Sequence, residues 1–313
     1  MLPRTGVGPR ALHAPETTIP SGGPSTFDLA PRGITLGAEI RGLDLRQPLT
    51  SVQRRELAWA LDEWKLLIFP GQRLSIVEHA AFASTWGTLT DDQLGASSEL
   101  PAEDCVVVFG RDAATAGHEN AWHTDGSFRP VPTSGTTLRA VEVPSRGGDT
   151  LFADMATAYD NLSEQLRHRI AALRATHDWS IGYYAQKYAA DLPRLRAQTP
   201  PVTHPVVIAH PRTGRPTLYV NPLFTASIDG LEPMESDLLL EELFKPATLP
   251  ELQYRLHWEP DTLILWDNLA VQHYGASDYY PQRRVLARAT FFPTDMTPPQ
   301  PAFNAFSTVT VSP

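Results

Sequence analysis

The longest apolar runs in the chain are strand-sized. Leu66-Leu67-Ile68-Phe69 and Thr262-Leu263-Ile264-Leu265-Trp266 stand out, and neither approaches the roughly 18 residues of a membrane-spanning helix. Further short runs are bounded by turn residues: Val106 to Phe109, Thr136 to Val143, Val206 to His210, Leu218 to Asn221 and Val285 to Phe292. Pro211-Arg212-Thr213-Gly214-Arg215-Pro216 reads as a hairpin connection between two of them. Many short strands with few helices predict a mainly β fold with peripheral helices, a double-stranded β-helix or jelly roll.

Helices are expected where capping signals precede helical periodicity. Thr50-Ser51-Val52-Gln53 is a capping box opening a helix through Leu57, Leu61 and Trp64. Ser75-Ile76-Val77-Glu78 is a second, with its helix running to about Trp86 before Gly87. Two more helices are expected at Ser163 to Ala175 and Met234 to Phe244. Residues 1–26 are rich in Pro and Gly and lack an apolar segment, which predicts a disordered lead rather than a secretory signal. Residues 27–313 show no compositional break and are read as one domain.

Charge and cysteine usage narrow the function. The formal charge of −9, from 26 basic and 35 acidic residues, argues against nucleic acid as a partner, since phosphate neutralisation needs a basic surface. One cysteine, Cys105, excludes an intrachain disulfide framework and a cysteine-based zinc cluster. The composition fits a reducing compartment, most simply the cytoplasm, with no membrane association.

The most informative segment is Ala121-Trp122-His123-Thr124-Asp125-Gly126. On a strand, His123 and Asp125 would face the same side and could bind one cation from adjacent corners. The candidate third ligand is His273, in Trp266-Asp267-Asn268-Leu269-Ala270-Val271-Gln272-His273. Two histidines and one carboxylate leave coordination positions open, which is the facial triad of non-heme Fe(II) oxygenases. By itself the pair His123 and Asp125 is a weak signal, because isolated histidines are more often structural.

Downstream, Arg284-Val285-Leu286-Ala287-Arg288-Ala289-Thr290 alternates, with Arg284 and Arg288 on one face. Two arginines on an apolar strand are costly to bury unless they meet anions, and the guanidinium fork suits carboxylates. A dicarboxylate that also chelates iron describes 2-oxoglutarate. The alternative is that one or both arginines pair with core acids or carbonyls.

Taken with Gly37-Ala38-Glu39-Ile40, Gly147-Gly148-Asp149-Thr150, Leu218-Tyr219-Val220-Asn221, Gln272-His273-Tyr274 and Asp278-Tyr279-Tyr280-Pro281-Gln282-Arg283-Arg284, these motifs make the chain resemble the taurine/2-oxoglutarate dioxygenase (TauD/TfdA) family. The resemblance spans about Gly33 to Pro293. It implies an Fe(II)- and 2-oxoglutarate-dependent dioxygenase that uses O2, releases succinate and CO2, and oxidises, by default hydroxylates, a small polar molecule. It also implies that His123, Asp125 and His273 are the iron ligands. Thr150 and Arg284 would bind the distal carboxylate of 2-oxoglutarate, and Arg288, counted with them among the co-substrate residues, would also face the substrate's anionic group.

The substrate pocket departs from that of taurine dioxygenase. An ungapped match places Asp92 and Gly95 where that enzyme has a His and a Tyr, and Glu119 where it has an Asn. Asp92 and Glu119 would favour an amine-bearing substrate with an anionic group, unless both are solvated loop residues. Tyr183 and Phe224 match pocket-lining aromatics or are core packing. Desaturation, cyclisation or isonitrile formation would use the same ligands. A non-catalytic 2-oxoglutarate- or metabolite-binding protein is the alternative of another class. A homo-oligomer is compatible with the sequence. The other histidines are expected in surface or satisfied core roles, with His118 as a candidate at the substrate entrance and the acid beside His257 solvated. Cys105 is expected to pack within a strand.

Overall fold

A computed structural model describes residues 23–90, 101–115 and 120–303. The first two helices start where their caps require. Thr50 accepts from the Gln53 backbone while the Gln53 side chain returns to Thr50, and Ser75 and Glu78 repeat the arrangement. Helix Ser51–Trp64 buries Leu57, Ala60, Leu61 and Trp64, the spacing of one helical face. Helix Ile76–Ser84 stops slightly earlier than the sequence suggests. Ser25 and Thr26, placed in the expected lead, hydrogen-bond to Glu56.

Eight strands form one large sheet. Its path runs Asp28–Pro31, Ala38–Arg41, Leu66–Phe69, Leu263–Asp267, Gly135–Glu142, Arg284–Phe292 and Thr88–Thr90, and Val107–Arg111 also pairs with Arg284–Phe292. A small sheet is made by Gln253–Leu256, Thr150–Asp154 and Val271–Gly275. A single bridge between His123 and His273 extends it by one residue.

The period of two decides which face each residue serves. Leu66, Ile68, Leu138, Ala140, Ile264, Trp266 and Leu286 of the large sheet pack against Phe152, Leu256 and Val271 of the small one. Alternate residues Leu67, Phe69, Leu263 and Leu265 turn outward onto Leu57, Leu61 and Trp64 of the first helix. Ala287 and Ala289 likewise meet Ala80 and Ala83 of the second helix. The two sheets thus enclose one apolar layer and helices cover the outer face, which is the expected jelly roll. Truncating a residue of this layer, such as Ile264→Ala, would cost about 2–5 kcal/mol.

Several boundaries differ from expectation. The fourth predicted helix holds as Pro233–Phe244. The third is only Glu164–Ile170, because Arg174–His177 is drawn into a strand between Val202–Pro205 and Thr225–Ile228. Tertiary pairing overrides the helical pattern there. The expected strand Leu218 to Asn221 lies earlier, as Pro216–Leu218, and pairs with Val207–Ala209 across the predicted hairpin connection. Cys105 is buried, but ends a short 3-10 turn, Ala102–Cys105, rather than lying in a strand. Among the described residues, no helix is long and apolar enough to cross a membrane.

Candidate metal and co-substrate site

The bridge between His123 and His273 is a reciprocal backbone pair, with N–H to O distances of 3.0 and 2.8 Å. It sets the two imidazoles side by side, ring centroids 4.1 Å apart. His123 Nδ1 lies 2.7 Å from the Ala121 carbonyl. A carbonyl only accepts, so Nδ1 carries a proton and Nε2 is the ring nitrogen that faces the other two side chains. That Nε2 lies 3.6 Å from Asp125 Oδ1, and His273 Nε2 lies 3.8 Å from the same oxygen. Ligand atoms of His123, Asp125 and His273 lie within 4.8 Å of one another, and all three residues are buried.

The backbone at Asp125 is not the regular strand assumed from the sequence. The pairing is one residue long, and the chain turns at Gly126, which has φ of +67°. A β-carbon at Gly126 would lie 2.9 Å from Thr133 Oγ1, so only glycine fits this turn. The turn, with side-chain hydrogen bonds, brings the carboxylate beside the imidazoles.

Those bonds come from residues that sequence reasoning missed. Thr136 Oγ1 donates to Asp125 Oδ2 at 3.1 Å and Thr133 Oγ1 to the Asp125 carbonyl at 3.0 Å. Both hydroxyls accept from Asn268 Nδ2, at 3.1 and 3.2 Å. Only Asn268, two residues after Trp266 in the quoted motif, carried a signal; the threonines sit in an unremarkable strand sequence. Next to Asn268, buried Asp267 accepts from His210 Nε2, Arg212 and the Leu269 amide. These bonds fix the turn that leads into the His273 strand. Burial opposes the Asp267 charge, but His210 and Arg212 outweigh it and hold the carboxyl well below its usual range.

Electrostatics suit a cation. Burial, with His123 adding to it, pushes His273 down to about 3, leaving a neutral imidazole. Burial also works to raise Asp125, but His273, Arg288, His123 and the Thr136 hydrogen bond together hold it below the usual carboxylate range. His273 Nδ1 is buried without a hydrogen-bond partner among the described residues. Two imidazoles and one carboxylate converging in a buried place fit a divalent transition metal.

A second cluster adjoins the first. His273 lies opposite Phe152, and Thr150 is two residues along that strand, about 7 Å on and on the same face. Trp258 Nε1 donates to Thr150 Oγ1 at 3.0 Å, so the hydroxyl proton can meet another acceptor. Arg284 is buried, donates to the Gly148 carbonyl at 2.7 Å and lies over the Tyr279 ring at 5.0 Å. The alternative of a carbonyl partner is therefore met in part. Arg284 Nε, however, is buried with no hydrogen-bond partner among the described residues. A buried guanidinium and a hydroxyl on the edge of one turn fit a carboxylate. Arg288 is half-buried, lies over the Phe109 ring at 5.7 Å, and is close enough to bias the charge of Asp125 and His273.

Phe224 packs edge-on against His123, ring centroids 6.2 Å apart. Tyr184, which the sequence reading passed over, stacks on Phe224 at 6.0 Å, and Tyr183 meets Tyr184. Tyr183 is thus two rings further out than Phe224. Asp92, Gly95, His118 and Glu119 lie outside the described residues. The remaining histidines behave differently from one another. His79, His177, His204 and His210 are buried with polar neighbours. His257 pairs with Asp149 at 3.0 Å, a partner that its neighbouring acid had obscured.

With this geometry in view, comparisons with known proteins are informative. A family profile described as "Taurine catabolism dioxygenase TauD, TfdA family" matches residues 25–290. The (S)-phenoxypropionate/alpha-ketoglutarate-dioxygenase of Sphingobium herbicidovorans is 33% identical over 268 residues, covering 83% of this chain and 93% of its own length. The alpha-ketoglutarate-dependent 2,4-dichlorophenoxyacetate dioxygenase of Cupriavidus pinatubonensis is 34% identical over 271 residues, covering 81% and 93%. Among solved structures, a taurine dioxygenase from Burkholderia xenovorans superimposes with a TM-score of 0.72 at 31% identity, covering 86% of this chain and 90% of that one.

Proposed function

The chain belongs to the TauD/TfdA dioxygenase family, and from that premise we propose that His123, Asp125 and His273 hold its iron while Thr150 and Arg284 hold 2-oxoglutarate. The protein is an Fe(II)- and 2-oxoglutarate-dependent dioxygenase that oxidises a small molecule, using O2. The observation that carries the site assignment is the buried convergence of two imidazole Nε2 atoms on one Asp125 oxygen.

Iron with bound 2-oxoglutarate supplies the oxidising power to break a C–H bond, with succinate and CO2 as co-products. The chain's residues do the rest. His123, Asp125 and His273 would hold the ion with three ligands, which would leave positions for co-substrate and O2. Arg284 and Thr150 meet the distal carboxylate in a place too dry for water to compete. Phe224 and Tyr184 wall the side next to His123 and limit solvent there. Arg288, next along the strand from Thr290 on the same face, takes the substrate's anionic group. Two relatives support that choice, since phenoxypropionate and 2,4-dichlorophenoxyacetate are both carboxylates.

Hydroxylation is the default outcome for such an enzyme, and desaturation, cyclisation or isonitrile formation would use the same ligands. The finer reading, a substrate with an amine beside its anion, rests on the sequence positions of Asp92 and Glu119. A panel of aryloxy acids, sulfate esters, taurine and amino acids, scored by succinate release, tests it. Highest turnover efficiency on taurine would refute the pocket reading, and turnover on anions without amines would assign the acids to solvent.

The ligand assignment has its own test. Under anaerobic conditions, Fe(II) and 2-oxoglutarate should give a weak visible charge-transfer band that His273→Ala abolishes while the fold persists. An unchanged band would remove His273 from the site.

A further inference from the structure

We propose that Asn268 is a positioning residue: through Thr136 and Thr133 it fixes Asp125 as a one-oxygen ligand. The inference rests on the ligand assignment above and concerns residues that touch neither metal nor substrate.

The direction of each hydrogen bond can be read from chemistry alone. Trp266 Nε1 can only donate, and it lies 2.7 Å from Asn268 Oδ1. That contact fixes the amide, with Oδ1 towards the indole and Nδ2 towards the threonines. Nδ2 can only donate, so the Thr136 and Thr133 hydroxyls accept from it. Each hydroxyl has a single proton: that of Thr136 goes to the nearer and charged acceptor, Asp125 Oδ2 at 3.1 Å, ahead of the Thr290 hydroxyl at 3.5 Å, and that of Thr133 goes to the Asp125 backbone carbonyl. The Asn268 backbone is tied to Ser134, donating to its carbonyl at 3.0 Å. The Asn268 side chain is 1% exposed, so water does not substitute for any of these bonds.

The outcome is a carboxylate with unequal oxygens. Oδ2 is occupied by Thr136, while Oδ1 faces His123 Nε2 and His273 Nε2. A carboxylate offering both oxygens would take two positions on the ion, one of which the co-substrate and O2 require. The chain of bonds therefore protects the open side of the site. It also joins the two sequence motifs: Asn268 leads into the His273 strand, and the threonines grip the His123–Asp125 turn.

Thr136→Val keeps the shape and removes the hydroxyl, whereas Thr136→Ser keeps the hydroxyl. Asn268→Asp reverses the chain, because its oxygens would draw the hydroxyl protons away from Asp125. Mn(II) dissociation constants of the full chain, and the Mn(II) electron paramagnetic resonance spectrum, report on the ligand set without turnover. Thr136→Val and Asn268→Asp are expected to weaken Mn(II) binding about 10- to 100-fold and to change the spectrum, with Thr136→Ser remaining close to wild type. Melting temperatures of the metal-free proteins separate this from a folding defect. Wild-type affinity and spectrum in Thr136→Val would overturn the proposal, as would equal losses in Thr136→Val and Thr136→Ser. If Asn268→Asp fails to fold, the threonine pair decides. His273→Ala distinguishes the underlying reading. If it binds Mn(II) normally, the ligand assignment fails; if it does not bind and Thr136→Val does, only the positioning role fails.

Discussion

Replacing Arg284 with alanine is expected to weaken 2-oxoglutarate binding without disturbing the metal. Arg284 is 4% exposed, and one of its nitrogens already serves the Gly148 carbonyl, so the residue is held before any ligand arrives. A preorganised, charge-assisted contact to a carboxylate contributes about 2–4 kcal/mol at such a site. That corresponds to an increase of about 30- to 1000-fold in the dissociation constant. The same substitution also removes the Gly148 bond and the contact with the Tyr279 ring, so a loss of affinity could come from a distorted turn. A ligand that lacks the distal carboxylate, 2-oxopentanoate, separates the two causes. Its affinity for the metal-loaded protein should change little in Arg284→Ala, while that of 2-oxoglutarate collapses. Both constants can be read from the anaerobic visible band. A wild-type constant for 2-oxoglutarate, or an equal loss for both ligands, would refute the anchoring role.

Two other outcomes follow from the described geometry. Gly126→Ala should destabilise the protein by about 1–2 kcal/mol from its left-handed backbone alone, with a further loss from the 2.9 Å approach to Thr133; an unchanged denaturation midpoint would contradict that. His79 gives a pH dependence of definite sign. Burial, helped by Arg139, pushes its imidazole down to about 3. Below the ordinary value near 6.5 the unfolded chain binds a proton that the folded chain does not, so stability falls as pH drops from about 6.5 towards 3. The contribution is about 1.4 kcal/mol per pH unit. In metal-free protein, His79→Leu should flatten the dependence between pH 6 and 4 by about that slope, and an unaltered slope would show that His79 does not titrate in that way.

Local signals survived into the structure where one neighbour decides the outcome. The capping boxes at Thr50 and Ser75 need only residues three apart, and both form. The continuous apolar runs Leu66–Phe69 and Thr262–Trp266 need only a buried layer on each side, and both layers exist. The proposed triad was suggested by the order and spacing of several motifs along the chain rather than by His123 and Asp125 alone, and the strand assumed for that pair is a bridge followed by a glycine turn. What remained illegible depends on distant partners. Nothing near Thr133 or Thr136 points to Asn268, and nothing near His257 points to Asp149. The choice between Tyr183 and Tyr184 turns on the direction of one ring, which the short helix Gly182–Lys187 sets and a sequence match does not.

The backbone bridge between His123 and His273 ties metal uptake to chain topology. Closing so long a loop costs configurational entropy, which folding must meet before the two imidazoles share a neighbourhood. In an unfolded chain the three ligands are scattered and the ion has no preformed seat. If His123, Asp125 and His273 hold the iron as proposed, its binding would report completed long-range pairing of the His123–His273 bridge. By mass action the ion should raise the unfolding free energy by about 1.4 kcal/mol for every tenfold excess over its dissociation constant, so the iron supply of the surroundings becomes a determinant of how long the folded chain endures.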